Sequence, residues 1–398
     1  MKKLLVFSIL AIISLGLSAQ DSLQVDSLEQ DTVVLSPTEL WKLGITNNLD
    51  SITRKVEKQN YSASYCVFDL TDDSIIYRYN ADKKLKPAST QKLFTAATAL
   101  KVLGPNYRFR TNVSIDGSFE EDSIGHRYLK GDICIKGGYD PSLQMEHIHY
   151  IAEKVATLGV DSIDGKIIVD NRIKLDIDHV KNEQKYFGEN LYKDLLNAGI
   201  VFSSDTPYDT SSSPITTGWN LTTVYTPIDK VLNRMLKRSN NDFAECVLLN
   251  LCGLGRNDHW SYDSCKLRVS NLATEIGDSL SSYVIYDGSG LSHSNRCTSE
   301  LLTKLLRYIS LDNKIYPSIY DNLPIAGEDG TLAKRMKNGP SYNNVRAKTG
   351  TLSGVSTLAG YVTSSNGHKL AFAVMVNNLR SASNGKDLQN SICHILAK

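Results

Sequence analysis

The sequence predicts a mixed chain of the α/β (α+β) class, and three observations lead there. Two adjoining strand-like runs stand early, at residues 64–70 and 74–79, and three more stand close together late, at 344–348, 356–362 and 369–376. Between the two groups lie long segments with apolar residues at helical spacing. One stretch, residues 107–182, changes to a denser β texture and reads as a small inserted α+β domain. The main domain is then built from two separated parts, 36–106 and 183–398.

Residues 1–19 are a separate object. Lys2 and Lys3 precede an apolar run over 4–17, and Ser18-Ala19 supplies small residues for cleavage before Gln20, the pattern of a secretory signal peptide. A membrane anchor is the competing reading, but the run is short for a span of about 20 residues. No cysteine follows it to accept a lipid. An exported, periplasmic protein without a permanent membrane anchor is therefore expected. Residues 20–35, carrying Asp21, Asp26, Glu29 and Asp31, read as a flexible spacer.

Ser36-Pro37-Thr38-Glu39 is a helix start: Ser caps, Pro suits the first turn, and Glu reaches back three residues. Trp41, Ile45, Leu49 and Ile52 continue it at helical spacing. Residues 64–70 alternate, 74–79 are rich in β-formers, and Thr71-Asp72-Asp73 between them is turn chemistry. Residues 89–103 form an apolar helix stopped by Gly104. Within the insertion, strands are expected at 107–115, 128–135 and 166–170, with a helix near 147–158. A helix follows at 186–198, then a Ser/Thr/Asp/Pro-rich loop at 203–217. A helical region begins at 229–237 and is expected to run past Ser239-Asn240-Asn241. Asp287-Gly288-Ser289-Gly290 is a tight loop, 299–309 a helix, and 386–396 a closing helix.

Composition excludes several classes. Of 398 residues, 41% are hydrophobic and 22% charged, so the chain has material for a core and is not chiefly disordered. Lys plus Arg number 44 against 43 Asp plus Glu, a net charge of +1 that gives no general pull on nucleic acid. The seven cysteines, an odd number, match no metal knuckle, and small buried thiols are expected in preference to a disulfide framework. His147 and His149 are two apart and diverge on a helix, and no His-Glu-x-x-His is present, so no metal site is expected. Glu328-Asp329 reads as a solvated loop pair, and Asp140 and Asp287 as turn holders.

Three short motifs carry chemistry. In Ser89-Thr90-Gln91-Lys92, i and i+3 share a helix face, so the Lys amine sits beside the Ser hydroxyl. A buried Lys is neutral enough to take the hydroxyl proton. In Ser239-Asn240-Asn241, a hydroxyl able to relay a proton and an amide able to hold a carbonyl project into one cleft. In Lys348-Thr349-Gly350, Lys and Thr on a strand can bind a carboxylate, and Gly leaves room for close backbone approach. The N–H groups of Ser89 and Thr351 are candidates for an oxyanion hole. Each motif alone is common. Together, in this order, they are the set of serine β-lactamases and penicillin-binding proteins.

Longer strings narrow the resemblance. Pro87-Ala88-Ser89-Thr90-Gln91-Lys92, Gly131-Asp132 followed by Gly137 to Leu143, Asp287-Gly288-Ser289-Gly290-Leu291-Ser292, Leu323-Pro324-Ile325-Ala326-Gly327 to Leu332, and Ala347-Lys348-Thr349-Gly350-Thr351-Leu352 followed by Gly354-Val355 resemble the class C type-4 low-molecular-mass penicillin-binding proteins. These are D-alanyl-D-alanine carboxypeptidases and endopeptidases of cell-wall metabolism, and the likeness covers most of residues 60–380. It implies a transpeptidase-type fold: an antiparallel sheet joining the early hairpin to the late strands, flanked by helices, with an all-helical lobe. It implies Ser89 as nucleophile, Lys92 as base and Ser239 as proton relay. Asn241, Lys348, Thr349, Gly350 and Thr351 would bind substrate. Peptidoglycan stem peptides would be the substrate and β-lactams covalent inhibitors, with no cofactor.

The chain also departs from the family. Two nested insertions usually separate the first two motifs, whereas Ser89 and Ser239 are 150 residues apart, room for about one. No Trp- and Asp-rich segment follows Asn171, and His293 stands where Arg is usual. Two other readings use the same residues: a serine β-lactamase, and a peptidoglycan-binding scaffold with an idle pocket.

Overall fold

The computed structural model describes residues 35–212, 215, 218–252, 261–277 and 283–398. The expected signal peptide and nearly all of the spacer lie outside the described residues. The first helix, α1 (Pro37–Val56), begins as read: Ser36 N donates to Glu39 Oε2 at 2.7 Å and Glu39 N to Ser36 Oγ at 3.3 Å. Both sheets and all later helices belong to residues 42–398.

The chain continues through β1 (Ser62–Asp69) and β2 (Ser74–Tyr79). A 3-10 turn at Ala88–Gln91 leads into α2 (Lys92–Leu103), which ends at Gly104 with φ +86°. Next come β3 (Arg108–Glu121), β4 (Arg127–Lys136), α3 (Met145–Ala156), β5 (Ser162–Asp164), β6 (Ile167–Asp170), α4 (Glu183–Asn197), β7 (Val201–Phe202), β8 (Tyr208–Ser211) and β9 (Trp219–Pro227). Among the described residues there follow α5 (Ile228–Lys237), α6 (Asn241–Asn250), α7 (Tyr262–Glu275), α8 (Ser299–Leu311) and α9 (Tyr316–Tyr320). The chain closes with β10 (Arg346–Leu352), β11 (Val355–Thr363), β12 (Lys369–Asn377) and α10 (Ala382–Leu396).

The first sheet has the order β10-β11-β12-β1-β2 and is antiparallel throughout, so the early hairpin does join the late strands. β11 and β12 are buried along nearly their whole length, with α8 and α10 packed against them. This explains why they read as near-continuous apolar runs and not as alternating strands.

The helical lobe is carried by one-sided helices. α5 buries Ile228, Val231, Leu232, Met235 and Leu236, spaced i, i+3, i+4, i+7, i+8. These side chains share a core with α2, α6, α7 and α8. Thr298 caps α8 by accepting from Leu301 N at 3.0 Å, and Asn240 caps α6 by accepting from Phe243 N at 3.2 Å.

The second sheet has the order β7-β5-β4-β3-β9, with β6 pairing β4 and β8. It extends beyond the insertion expected at 107–182. Phe187, Leu191 and Leu195 of α4 lie in its core, and β9 returns to pair with β3 from Arg108↔Pro227 onward. The expected loop at 203–217 contains β8, whose Tyr208–Ser211 pairs in parallel with Ile167–Asp170. The helical region expected through Ser239 is broken there: α5 ends at Lys237, and Ser239 has φ +60°. Cys252 and Cys265 form a disulfide with Cα atoms 4.9 Å apart, whereas Cys66, Cys134, Cys246, Cys297 and Cys393 are buried thiols.

Candidate active site

Three elements converge on Ser89: the 3-10 turn before α2, the break between α5 and α6, and strand β10. The turn is fastened at Pro87, whose carbonyl accepts from Thr90 Oγ1 and Thr357 Oγ1, both at 2.7 Å. Ala88 has φ +48°, a left-handed conformation that costs a non-glycine residue about 1–3 kcal/mol. Packing around it holds the strain. A Cβ at Gly290 would run into the Ala88 carbonyl, so the loop 287–290 approaches only because that position is glycine.

Lys92, on the first turn of α2, is fully buried. Its Nζ donates to Ser89 Oγ at 3.0 Å, Asn241 Oδ1 at 2.8 Å and the Ser289 carbonyl at 2.7 Å. Loss of water around the amine pulls its pKa down to about 7, while the carboxylates of Glu245, Asp287 and Asp242 oppose that fall. The amine therefore has a populated neutral form near neutral pH.

Ser239 and Asn241 are presented by the left-handed kink that ends α5 and starts α6. Asn241 is the first residue of α6, and its amide oxygen faces Lys92. Ser239 Oγ accepts from Lys348 Nζ at 2.7 Å. Lys348 is also fully buried, and its Nζ donates to the Thr349 carbonyl at 2.8 Å. Burial first, and then the neighbouring Lys92 charge, push its pKa well below the usual lysine range.

The alternation of β10 turns Lys348 inward and sets Thr349 and Thr351 at the cavity. Gly350 meets the turn that carries Ser89: a Cβ there would lie 2.9 Å from Ser89 N and 3.0 Å from Ala88 Cβ. The cavity holds about 440 Å³ and is lined by Ser89, Ser239, Asn241, Thr349 and Thr351. Seven of the eight sequence-predicted site residues thus line it or stand directly behind a serine that does. Gly350, the eighth, sets the spacing.

Sequence reasoning missed part of the wall. Thr331, Lys334, Arg335 and Lys386 also line the cavity. Thr349 Oγ1 donates to Thr331 Oγ1 at 2.6 Å, and Arg335 is anchored on Asn390 Oδ1 at 2.8 Å. Thr331 lies within the string 323–332 that carries the resemblance, which gives it no role; Lys386 on α10 offered no signal. Glu245 was missed as well. It accepts from Ser289 N at 2.9 Å and from the Tyr262 hydroxyl at 2.7 Å, clamping the loop whose carbonyl holds Lys92.

The remaining candidates lie elsewhere. Asp287 accepts from Gly290 N at 2.6 Å and Asp140 from Ser142 N at 2.9 Å, so both hold turns. Asp329 accepts from Ile325 N at 2.7 Å and pairs with Lys237. His147 Nδ1 accepts from Gln144 N at 2.9 Å, while His149 Nδ1 lies 2.6 Å from Asp194 Oδ2. His293 Nδ1 lies 3.2 Å from Lys86 Nζ on an exposed rim. Asp69, Asp72 and His368 converge, but the Lys42 amine already stands 3.2 Å from Asp69 and 2.8 Å from Asp72.

The chain is similar to known proteins over most of its length. The model of the D-Ala-D-Ala carboxypeptidase 3 (S13) family matches residues 45–178 and 174–398. A D-alanyl-D-alanine carboxypeptidase of Actinomadura sp. (strain R39) is 25% identical over 467 aligned positions, covering 89% of this chain and 84% of that one. Among solved structures, penicillin binding protein 4 of Haemophilus influenzae superposes with a TM-score of 0.76 at 21% identity, covering 87% of this chain and 99% of that one. A penicillin G-acylated predatory endopeptidase of Bdellovibrio bacteriovorus gives 0.57 at 20% identity, covering 83% and 90%. The expected fold, a penicillin-binding-protein type with one added α+β layer, is the one present.

Proposed function

The chain belongs to the D-Ala-D-Ala carboxypeptidase (S13) family of serine peptidases, and from that premise we propose how its own residues divide the work. Ser89 Oγ attacks the carbonyl of the D-Ala-D-Ala bond, and neutral Lys92 takes the hydroxyl proton. The backbone N–H groups of Ser89 and Thr351 receive the oxyanion. The C–N bond then breaks. Ser239 passes a proton to the leaving D-Ala amine and is resupplied with the proton that Lys92 took from Ser89, which returns Lys92 to its neutral form. Asn241 orients the substrate amide, and Lys348, Thr349 and Thr351 hold the terminal carboxylate. Water hydrolyses the Ser89 ester, with Lys92 again as base.

The observation that carries this reading is the 3.0 Å contact of Ser89 Oγ with a fully buried Lys92 amine. The same cavity accommodates D-Ala to diamino-acid cross-links, because only the group beyond the scissile nitrogen differs. β-Lactams would acylate Ser89 by opening of the ring amide. The apolar leader and the substrate together support an exported enzyme working at the bacterial cell wall in the periplasm. No described helix is long and apolar enough to cross a membrane.

The test is release of D-Ala from a stem pentapeptide by wild type and Ser89→Ala. Turnover by wild type alone is expected. Turnover by both would remove Ser89 from the mechanism, and turnover by neither would leave a binding scaffold.

A further inference from the structure

A second cavity, of about 290 Å³, opens where the second sheet meets the far end of α6. Its wall includes Arg110 on β3, Lys136 at the end of β4, Arg172 after β6, and Tyr107, Asn112 and Asn250. Asn250 is the last residue of α6, and Asn241 the first, so this cavity lies about 14 Å along the helix from the acyl site.

Arg172 is 5% exposed, yet its guanidinium forms no ion pair or hydrogen bond with any described residue. Only its backbone N–H is engaged, donating to Asp170 Oδ1 at 3.0 Å. With no partner among the described residues, its donors are left to whatever occupies the cavity. Neither Arg110 nor Lys136 pairs with a carboxylate among the described residues; Arg110 stacks over the Tyr225 ring at 5.9 Å. The polar neighbours are fixed in advance. Tyr107 donates its hydroxyl to Asn250 Oδ1 at 2.7 Å, and Asn250 Nδ2 donates to the Gly138 carbonyl at 3.2 Å. Gly137 and Gly138 allow the backbone to close against residues 172–173 and Arg110, since a Cβ at either would strike that main chain.

We propose that this cavity is a binding site for a doubly charged oxyanion of the phosphate type, distinct from the peptidase site. Three cations, Arg110, Lys136 and Arg172, face it. Two described acids lie close by: Asp170, whose Oδ1 is taken by Gly137 N at 2.8 Å and by Arg172 N while its Oδ2 is buried without a hydrogen bond, and Asp140, whose charge acts on Tyr107. The cations outnumber the acids, so the cavity favours an anion, and a dianion more strongly than a monoanion. Guanidinium groups bind such an anion through paired, charge-assisted hydrogen bonds. A phosphomonoester and free phosphate present the same chemistry here.

The test is isothermal titration of the full chain with inorganic phosphate, with glycerol phosphate, and with acetate as a monoanion. Saturable binding of phosphate and weak or no binding of acetate are expected. Tighter binding of glycerol phosphate than of phosphate would identify an ester as the occupant, and the reverse order the free ion. Arg172→Met is expected to weaken phosphate binding at least tenfold, and the more exposed Lys136→Gln several-fold, with unchanged benzylpenicillin acylation. Lys136→Gln keeps the test open should Arg172→Met fail to fold. Absence of saturable phosphate binding by wild type, or equal binding by wild type and Lys136→Gln, would overturn the proposal.

Discussion

Lys92 Nζ stands 3.0 Å from Ser89 Oγ, and none of its hydrogen-bond partners among the described residues is a carboxylate. Its partners are a hydroxyl, an amide oxygen and a backbone carbonyl. A neutral amine can keep two of these contacts as donor while turning its lone pair to the serine. The helix N-terminus beneath Ser89 favours the alkoxide that results.

This placement fixes a pH dependence. Lys92 works as a base only when unprotonated, and its pKa is held down to about 7. Acylation by benzylpenicillin should therefore rise about tenfold per pH unit below about 7 and level off above it. Stopped-flow acylation rates across that range check it. A flat profile would contradict a neutral Lys92 base.

Glu245 tunes the same group. Its charge raises the Lys92 pKa, and its carboxylate holds Ser289 N at 2.9 Å. Glu245→Gln should move the acylation midpoint to lower pH and cost about 1–2 kcal/mol of stability. An unmoved or higher midpoint, from the same acylation profile, would count against the coupling.

Lys348 is buried beside Lys92, and both burial and that neighbour favour its neutral form. An arriving substrate carboxylate has the opposite effect. Binding of a D-Ala-D-Ala peptide to Ser89→Ala at neutral pH should then take up a proton, approaching about one per peptide. Titration calorimetry in buffers of different ionisation enthalpy reads this directly. Identical enthalpies in all buffers would mean that Lys348 is charged before substrate arrives.

Gly350 sets the gap between β10 and the nucleophile turn. A methyl group there would press on Ser89 N, Ala88 Cβ and the Thr357 hydroxyl. Gly350→Ala should lose at least tenfold in acylation rate, for an overpacking cost of about 1–3 kcal/mol. Circular dichroism should stay unchanged. An equal acylation rate would show that the strand gives way freely.

Much of this was legible in the sequence because the motifs are local. Ser89 and Lys92 are three residues apart, and a helix start alone puts them side by side. The apolar runs at 355–363 and 369–377 also report burial on both faces directly. What stayed hidden depends on long-range pairing. β8 is short and polar, and is a strand only because Ile167–Asp170 lies next to it. The kink at Ser239, φ +60°, sits in a stretch with helical composition, and its hydrogen-bond partner Lys348 comes from a strand 109 residues away. Lys386 reaches the cavity from the final helix, with no sequence neighbour to mark it.

The central claim is that Ser89 forms the acyl-enzyme. Intact mass spectra of wild type and Ser89→Ala, taken over time with benzylpenicillin, test it most directly. A lasting adduct of one drug molecule on wild type alone is the predicted result. An adduct on both proteins, or on neither, would contradict the assignment.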